Sequence, residues 1–182
     1  GTIPQEACLI GLKSQGSDLD HKKIELSQKN LLWFKRSNRY GEFFKNASKK
    51  DYFIMDAINP PEDINYKGNI VSEPDLLEPL KDYPPPNEAN RIIRTFRKNY
   101  IQYLQGIHEI VQEGVIVLIF PRIHCNNESS MSMDIESLLT ENGFTLLSYK
   151  NYFHDKQRIP AIFLHKWKGQ IIEREIVVFK KV

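Results

Sequence analysis

The sequence has few cysteines and no long apolar run. Cys8 and Cys125 are its two cysteines, and they stand far apart without the spacing of a metal site. Because disulfide frameworks and zinc sites both need clustered cysteines, neither is expected, and a reduced, cytoplasmic setting is the default. No stretch is long and apolar enough to cross a bilayer, and no signal peptide is recognisable, so a membrane partner is not expected.

The net charge and the histidines give little indication of a binding partner or a metal site. The net charge of +2 and pI of about 8.4 fit nucleic acid only weakly, because the recognised footprint is a localised basic patch. The five histidines show no paired metal spacing. With 182 residues, 41% hydrophobic and 26% charged, the chain has the size and composition of one globular domain. We therefore expect residues 1–182 to form a single domain.

Predicted strands and helices alternate along most of the chain. Apolar residues recur every three or four positions over 88–111, which predicts the longest helix. The unalternated apolar run 115–120 predicts a central parallel strand covered on both faces. Two extended segments, 159–167 and 173–179, close the chain. Further helices are predicted over 3–10, 21–35 and 134–142, further strands over 13–17, 52–55 and 144–149, and a polar loop over 126–132. The pattern predicts an α/β fold with a mainly parallel sheet.

Two basic segments each leave two interpretations open. The polar and basic segment 36–50 contains Tyr40, Phe43 and Phe44. These rings either stack on RNA bases beside the cations or anchor the segment in the core, and the second interpretation is favoured. The predicted long helix poses a similar choice between phosphate contact and an ordinary solvated face, and the solvated face is the commoner explanation. Its cations are Arg91, Arg94, Arg97 and Lys98.

Three predicted strands each end in a carboxylate. Asp18 and Asp56 follow two of them, and Glu73 follows a third, a short strand predicted over 69–72, and precedes the rigid Pro74. Because the carboxyl ends of parallel strands lie along one edge of a sheet, the three are expected to face one cleft. A charge-assisted hydrogen bond from a ribose hydroxyl or an exocyclic amine to a carboxylate contributes about 1.5 to 3 kcal/mol. Each of the three residues alone is explained as a strand-end or helix-capping residue. Their positions taken together predict a nucleoside-binding cleft.

These motifs, in this order, resemble those of the THUMP-associated tRNA guanine N2-methyltransferases, a class I family that uses S-adenosylmethionine. Ser72-Glu73-Pro74 is similar to the Thr-Glu-Pro form of their catalytic motif. Gly1-Thr2 is similar to the end of their glycine motif, and 16–20 and Asp56-Ala57 to their second and third strand ends. The similarity covers nearly the whole chain. It implies a Rossmann-like class I methyltransferase sheet, mainly parallel, with an antiparallel closing strand at 174–179.

The resemblance also implies a role for each motif residue. Asp18 would bind the cofactor ribose and Asp56 the adenine amine. Glu73 would accept a hydrogen bond from the target amine, and Pro74 would shape the pocket, which makes both catalytic. The remaining expected contacts are to the cofactor from Gly1, Thr2 and Ala57, and to the substrate from Ser72 and Asp75. Asp75 departs from the family pattern, since the family has there an aromatic able to stack on the base.

The implied substrate is the exocyclic amine of a guanine in tRNA, bound with help from an upstream RNA-binding domain. The family's first strand and first glycines would precede Gly1, so we expect the chain to be an N-terminally truncated fragment that lacks the first strand. Two alternatives stay open: a DNA or protein amino-methyltransferase of the same fold, and a non-catalytic scaffold derived from it.

Overall fold

The computed structural model describes residues 1–74, 79–147 and 162–182 and divides the chain into two compact units. The first unit is Gly1–Pro61 and the second is Glu62–Val182. Each unit has its own hydrophobic core. Within the described ranges, no helix combines the length and the apolar character needed to span a membrane.

The first unit is built around one β–α–β arrangement. Its elements are helix α1 (Thr2–Leu9), strand β1 (Gly16–Asp18), helix α2 (His21–Arg36), a 3-10 turn (Lys49–Asp51) and strand β2 (Tyr52–Ile54). β1 and β2 pair in parallel, with Asp18 opposite Ile54. The strand predicted over 13–17 therefore begins later than expected. The physical reason is that Ser14 Oγ donates a 2.8 Å hydrogen bond to the Pro4 carbonyl, which holds the preceding residues on α1.

The aromatic residues of segment 36–50 pack mainly into the core of the first unit. Phe44 is fully buried, and its ring stacks on Phe34 with 4.6 Å between centroids. Tyr40 packs against the same cluster, whereas Phe43 is 52% exposed. Packing, the favoured interpretation of this segment, therefore accounts for two of its three aromatic side chains.

The second unit contains the larger sheet. Its elements are β3 (Tyr66–Lys67), β4 (Ile70–Ser72), α3 (Pro86–Ile110), β5 (Val111–Glu113), β6 (Ile116–His124), β7 (Ser130–Met131), α4 (Ile135–Glu141), β8 (Phe144–Leu146), β9 (Ile162–His165) and β10 (Ile172–Lys181). The main path of the sheet runs β4-β6-β10-β8, β7 pairs with β6, and β9 pairs with β10. β3 and β5 form a separate parallel pair. The polar loop predicted over 126–132 thus contains the short strand β7.

Strand directions confirm the predicted α/β class. β4 and β6 are parallel neighbours, and the chain passes from one to the other through α3, which is a Rossmann-like β–α–β connection. β10 is antiparallel to β6 on one side and to β8 on the other. Because β8 and β6 then run in the same direction, the sheet is mainly parallel with one long antiparallel closing strand, as predicted.

Helix α3 covers one face of β6. Pro86 begins the helix, where its missing N–H costs nothing. The Tyr100 ring stacks on Phe120 with 4.6 Å between centroids, and its hydroxyl donates to the Ile119 carbonyl at 2.7 Å. Along β6, Leu118 and Phe120 are fully buried, whereas Val117 and Ile119 are half-buried. β6 is therefore the central strand that was predicted, parallel to β4, but the expected cover on both faces is incomplete, because Val117 and Ile119 on the face away from α3 are only half-buried.

Candidate functional site

Asp18 lies at the carboxyl end of β1 and shapes the turn into α2. Its Oδ1 accepts a 2.9 Å hydrogen bond from the Asp20 N–H, and its Oδ2 lies 3.7 Å from Lys23 Nζ. Asp20 in turn caps α2 by accepting from the Lys22 N–H at 2.8 Å. The Asp18 side chain is 36% exposed, and a carboxylate has about four lone-pair sites. Asp18 can therefore still accept hydrogen bonds from a ligand.

Asp56 lies two residues after the end of β2. Its Oδ1 accepts from the Ile58 N–H at 2.9 Å and its Oδ2 from Asn59 Nδ2 at 3.0 Å. These bonds, with the Asn59 amide as the largest cause, lower the pKa of the Asp56 carboxyl. Ala57 follows in the same bend and is half-buried. The Met55 N–H donates to the Asp18 carbonyl at 3.2 Å, so the two strand ends are tied together and both carboxylates lie at one edge.

Gly1 and Thr2 form the start of α1. The Gly1 carbonyl accepts from the Gln5 N–H at 3.3 Å, and Thr2 is the exposed first residue of the helix. A Cβ atom on Gly1 would lie 2.4 Å from Ser27 Oγ, so this close approach to α2 requires glycine. Gln5 Nε2 beside it is buried and has no hydrogen-bond partner in the described part of the chain.

Ser72 ends β4 and is held by the long helix. The Tyr103 hydroxyl of α3 donates a 2.7 Å hydrogen bond to Ser72 Oγ. Burial raises the pKa of Tyr103, while the hydrogen bond to Ser72 acts in the opposite direction. The Ser72 hydroxyl is thus fixed on the side of the sheet that α3 covers.

Glu73 points to the other face of the sheet, because side chains alternate along an extended chain. Its Oε1 accepts a 2.7 Å hydrogen bond from Arg174 Nε on β10, and its side chain is 39% exposed. No described residue donates to the second carboxylate oxygen, Oε2. Pro74 follows and is half-buried, while Asp75 lies outside the described residues. Glu73 therefore presents an oriented, partly exposed carboxylate at the end of β4.

A second charged cluster lies on β6 and β10 and was not predicted. Arg122 donates to Glu175 Oε1 from Nε at 2.9 Å and from Nη2 at 2.6 Å. His124 Nε2 lies 3.3 Å from Glu173 Oε2, and Arg122 Nη1 donates to Ser130 Oγ at 3.3 Å. Glu175 is 1% exposed, and its Oε2 is buried without a partner among the described residues. Burial raises the pKa of Glu175, while Arg122 opposes this effect.

The sequence contains a pattern from which this cluster could have been predicted, a run of charged residues at the start of β10. The charged residues Glu173, Arg174 and Glu175 stand directly before the apolar part of β10. Alternation along the strand sends Glu173 and Glu175 to the face of Arg122, their neighbour on β6, and sends Arg174 to the face of Glu73. Three adjacent charges at a strand start thus predict two separate ion pairs once the register is known.

The structure gathers the predicted residues into two groups. Asp18, Asp56 and Ala57 lie at neighbouring strand ends of the first unit, and Gly1 and Thr2 begin the helix of that unit. In the second unit, Ser72, Glu73 and Pro74 follow one another at the end of β4. That all three carboxylates face one cleft stays a prediction. Across the ranges 1–74, 79–147 and 162–182, no group of His, Cys, Asp and Glu is arranged to hold a metal ion.

Comparison with known proteins gives weak likenesses. No protein-family model matches the chain, and no curated protein matches it. Among solved structures, the chain is similar to a crystal structure of a candidate DNA modification methylase from Thermus thermophilus, with 12% identity and a TM-score of 0.36 over 70% of this chain and 50% of that one. A structure of the same methylase complexed with S-adenosyl-L-methionine gives 10% identity and a TM-score of 0.37, over 70% and 51%. The chain spans about half the length of that methylase. Neither likeness is close enough to support an argument about this chain.

Proposed function

We propose that this chain transfers a methyl group from S-adenosylmethionine to the exocyclic amine of a guanine in tRNA. The observation that carries the proposal is the order β4-β6-β10-β8, with β10 antiparallel between two strands of common direction. The resemblance implies a closing strand of this kind. Glu73 lies at the end of the β4 strand of this sheet, where open α/β sheets bind their ligands.

The residues of the first unit fit a nucleoside cofactor. Asp18 and Asp56 are ionisable acceptors at adjacent strand ends, suited to ribose hydroxyls and to the adenine amine. Gln5 Nε2, buried beside Gly1 without a described partner, supplies a donor that an acceptor on the ligand would satisfy. When bound, S-adenosylmethionine would supply an activated methyl group on its sulfonium.

Glu73 would act on the target amine. An aromatic amine is a poor nucleophile because its lone pair is delocalised into the ring. By accepting a hydrogen bond from the amine, the Glu73 carboxylate turns the lone pair toward the methyl carbon and stabilises the positive charge that develops on nitrogen. Methyl transfer would release S-adenosylhomocysteine, and the amine would give up one proton, which the Glu73 carboxylate could accept. Arg174 holds the carboxylate in place through its 2.7 Å bond.

The free edges of two strands also agree with the proposal. Among the described strands, β1 pairs only with β2 in its sheet, and β4 pairs only with β6. Each therefore has an edge able to accept a further parallel strand. The resemblance implies a further parallel strand, and either of these free edges can accept one. An RNA substrate and the free, buried cysteines Cys8 and Cys125 suit the cytoplasmic setting that we propose.

Substrate class is the feature that separates this proposal from its rivals. The same motif class serves adenine and cytosine in DNA and glutamine in proteins, and the Asp75-Leu76 sequence, where the family carries an aromatic, favours a scaffold that has lost activity. Incubation with methyl-labelled S-adenosylmethionine and tRNA, DNA or protein should label tRNA, with the methyl group on guanine N2. Labelling of DNA or protein alone would replace the substrate, and labelling of none would favour the scaffold.

A further inference from the structure

Helix α3 carries positive charge that the proposed chemistry does not use. Its carboxylates are Glu88 and Glu109, near its two ends. Between them stand Arg91, Arg94, Arg97 and Lys98. This part of the helix therefore has a strong local excess of positive charge, although the whole chain is close to neutral.

One of these cations has a structural partner, which separates it from the others. Arg97 Nη2 donates to Glu141 Oε2 at 2.5 Å and so links α3 to α4. In the described parts of the chain, Arg91, Arg94 and Lys98 form no ion pair, and all three are exposed. The charge of a surface cation without a partner is not neutralised by a neighbouring carboxylate. Such a cation is therefore available to bind an anion from solution.

The three unpaired cations share one side of the helix. Ala89 and Ile93 are buried against the core, and with 3.6 residues per turn Arg91, Arg94 and Lys98 fall on the side facing away from it. Arg91 and Lys98 are separated by about 10.5 Å of helix rise. Together with three uncharged polar residues, they line a shallow depression of about 370 Å³. We name this the α3 cationic surface; it consists of Asn87, Asn90, Arg91, Arg94, Thr95 and Lys98.

The α3 cationic surface begins near the carboxyl end of β6. The Asn126 N–H, just past the end of β6, donates to the Pro84 carbonyl at 3.0 Å, which anchors the start of α3 at that end. β4, the neighbour of β6, ends earlier, since Ser72 pairs with Leu118 and accepts a hydrogen bond from Tyr103 in the second half of α3. A molecule bound along the first turns of α3 must therefore extend well beyond them to reach Glu73, as a nucleic-acid strand can.

We infer that the α3 cationic surface binds the phosphodiester backbone of the RNA substrate. The inference rests on the proposed function. A row of cations along one helix side suits a continuous strand of phosphates, and no aromatic residue lines the surface to stack on bases. The contact is therefore to the backbone and independent of sequence. The choice of RNA over DNA follows from the proposed substrate, and the amides of Asn87 and Asn90 can donate to and accept from its 2′-hydroxyl groups.

Fluorescence anisotropy with a labelled single-stranded RNA of mixed sequence tests this surface without any cofactor. The triple variant R91Q/R94Q/K98Q should bind the RNA at least about tenfold more weakly, and its salt dependence should fall by about 2 in the slope of log K against log salt, or about 0.7 per lost contact. The control K13Q/R36Q/K168Q removes the same net charge from exposed positions elsewhere and should bind like the parent chain. Unchanged binding by the first variant, or equal loss in both, would overturn the inference.

Competition identifies the occupant. Unlabelled RNA should displace the probe at lower concentration than single-stranded DNA of the same sequence or a polyglutamate peptide. Equal displacement by DNA would remove the preference for RNA, and stronger displacement by polyglutamate would assign the surface to an acidic protein. If the triple variant unfolds, the single variant Arg94→Gln should show the same direction of change with a slope reduced by about 0.7. Calorimetric titration of S-adenosylmethionine should give the same result for parent and variant, so failure of the methyltransferase proposal is seen separately.

Discussion

Arg174 Nε donates a 2.7 Å hydrogen bond to Glu73 Oε1 and so joins the start of β10 to the end of β4. This contact fixes one carboxylate oxygen and leaves the side chain 39% exposed. The variant Glu73→Gln keeps the shape of the side chain and removes its charge. We expect methyl transfer to fall by about a hundredfold, because the charge developing on the amine loses its stabilising partner. Labelled methyl transfer under single-turnover conditions measures this effect.

The control for Glu73 is Glu62→Gln, at an exposed position of the same unit. It should leave both methyl transfer and cofactor affinity unchanged. Calorimetry should also show that Glu73→Gln binds S-adenosylmethionine as the parent does. Equal turnover by Glu73→Gln and the parent would remove Glu73 from the reaction.

The buried pair Arg122–Glu175 should be far more important for stability than Arg174–Glu73. Glu175 is almost completely buried, so Arg122→Met would leave its charge uncompensated and destabilise the fold by about 3 kcal/mol. Arg174→Met, whose partner is partly exposed, should cost at most about 1 kcal/mol. Urea unfolding of both variants gives the comparison.

The double variant Arg122→Met/Glu175→Leu tests the cause of that loss. It removes both charges together, so most of the stability lost in Arg122→Met should return. A double variant as unstable as the single one would show that packing around Arg122, rather than the unpaired carboxylate, determines the effect.

His108 should make stability depend on pH. Burial, followed by the nearby charge of Lys181, lowers the pKa of His108 in the folded protein. The unfolded chain therefore binds the proton more readily. The stability associated with neutral His108 is fully present above about pH 6.5, and it is lost as the pH falls through the lowered pKa of the folded state. The urea midpoint should fall less on acidification in His108→Gln than in the parent. His21→Gln, on the exposed start of α2, is the control; an acid response unaltered by His108→Gln would contradict the assignment.

Gly143 should tolerate alanine less well than Gly169. Both have a positive φ, 80° and 85°, which costs an alanine about 1 to 2 kcal/mol. A Cβ at Gly143 would also lie 2.9 Å from His108 Nε2, whereas a Cβ at Gly169 meets nothing within 4 Å. Thermal unfolding should therefore show a larger loss for Gly143→Ala than for Gly169→Ala. Equal losses would mean that His108 moves aside freely.

Much of the secondary structure could be predicted because its determinants are local. Helix α2 begins after the capping residue Asp20, and α3 follows the spacing of its apolar residues. The antiparallel closing strand β10 was also expected, and the sheet confirms it. Strand β1 was placed too early because its start depends on a contact between Ser14 and Pro4, ten residues apart in sequence.

Pairings between distant residues explain what the sequence could not predict. Glu73 and Arg174 are separated by 101 positions, and Arg122 and Glu175 by 53. Nothing local to either residue specifies its partner, which depends on the sheet register. The half-buried face of β6 was missed for a similar reason, because an apolar run indicates burial without showing which element covers each side.

Calorimetric titration of S-adenosylmethionine tests the proposed cofactor site most directly. It would be made into the 182-residue chain and into the same chain preceded by the strand and glycine loop that the resemblance implies. We predict saturable binding by the extended form, weakened at least tenfold by Asp56→Ala, since a charge-assisted hydrogen bond contributes about 1.5 to 3 kcal/mol. Absence of binding by both forms, or binding that Asp56→Ala leaves unchanged, would contradict the cofactor site proposed here.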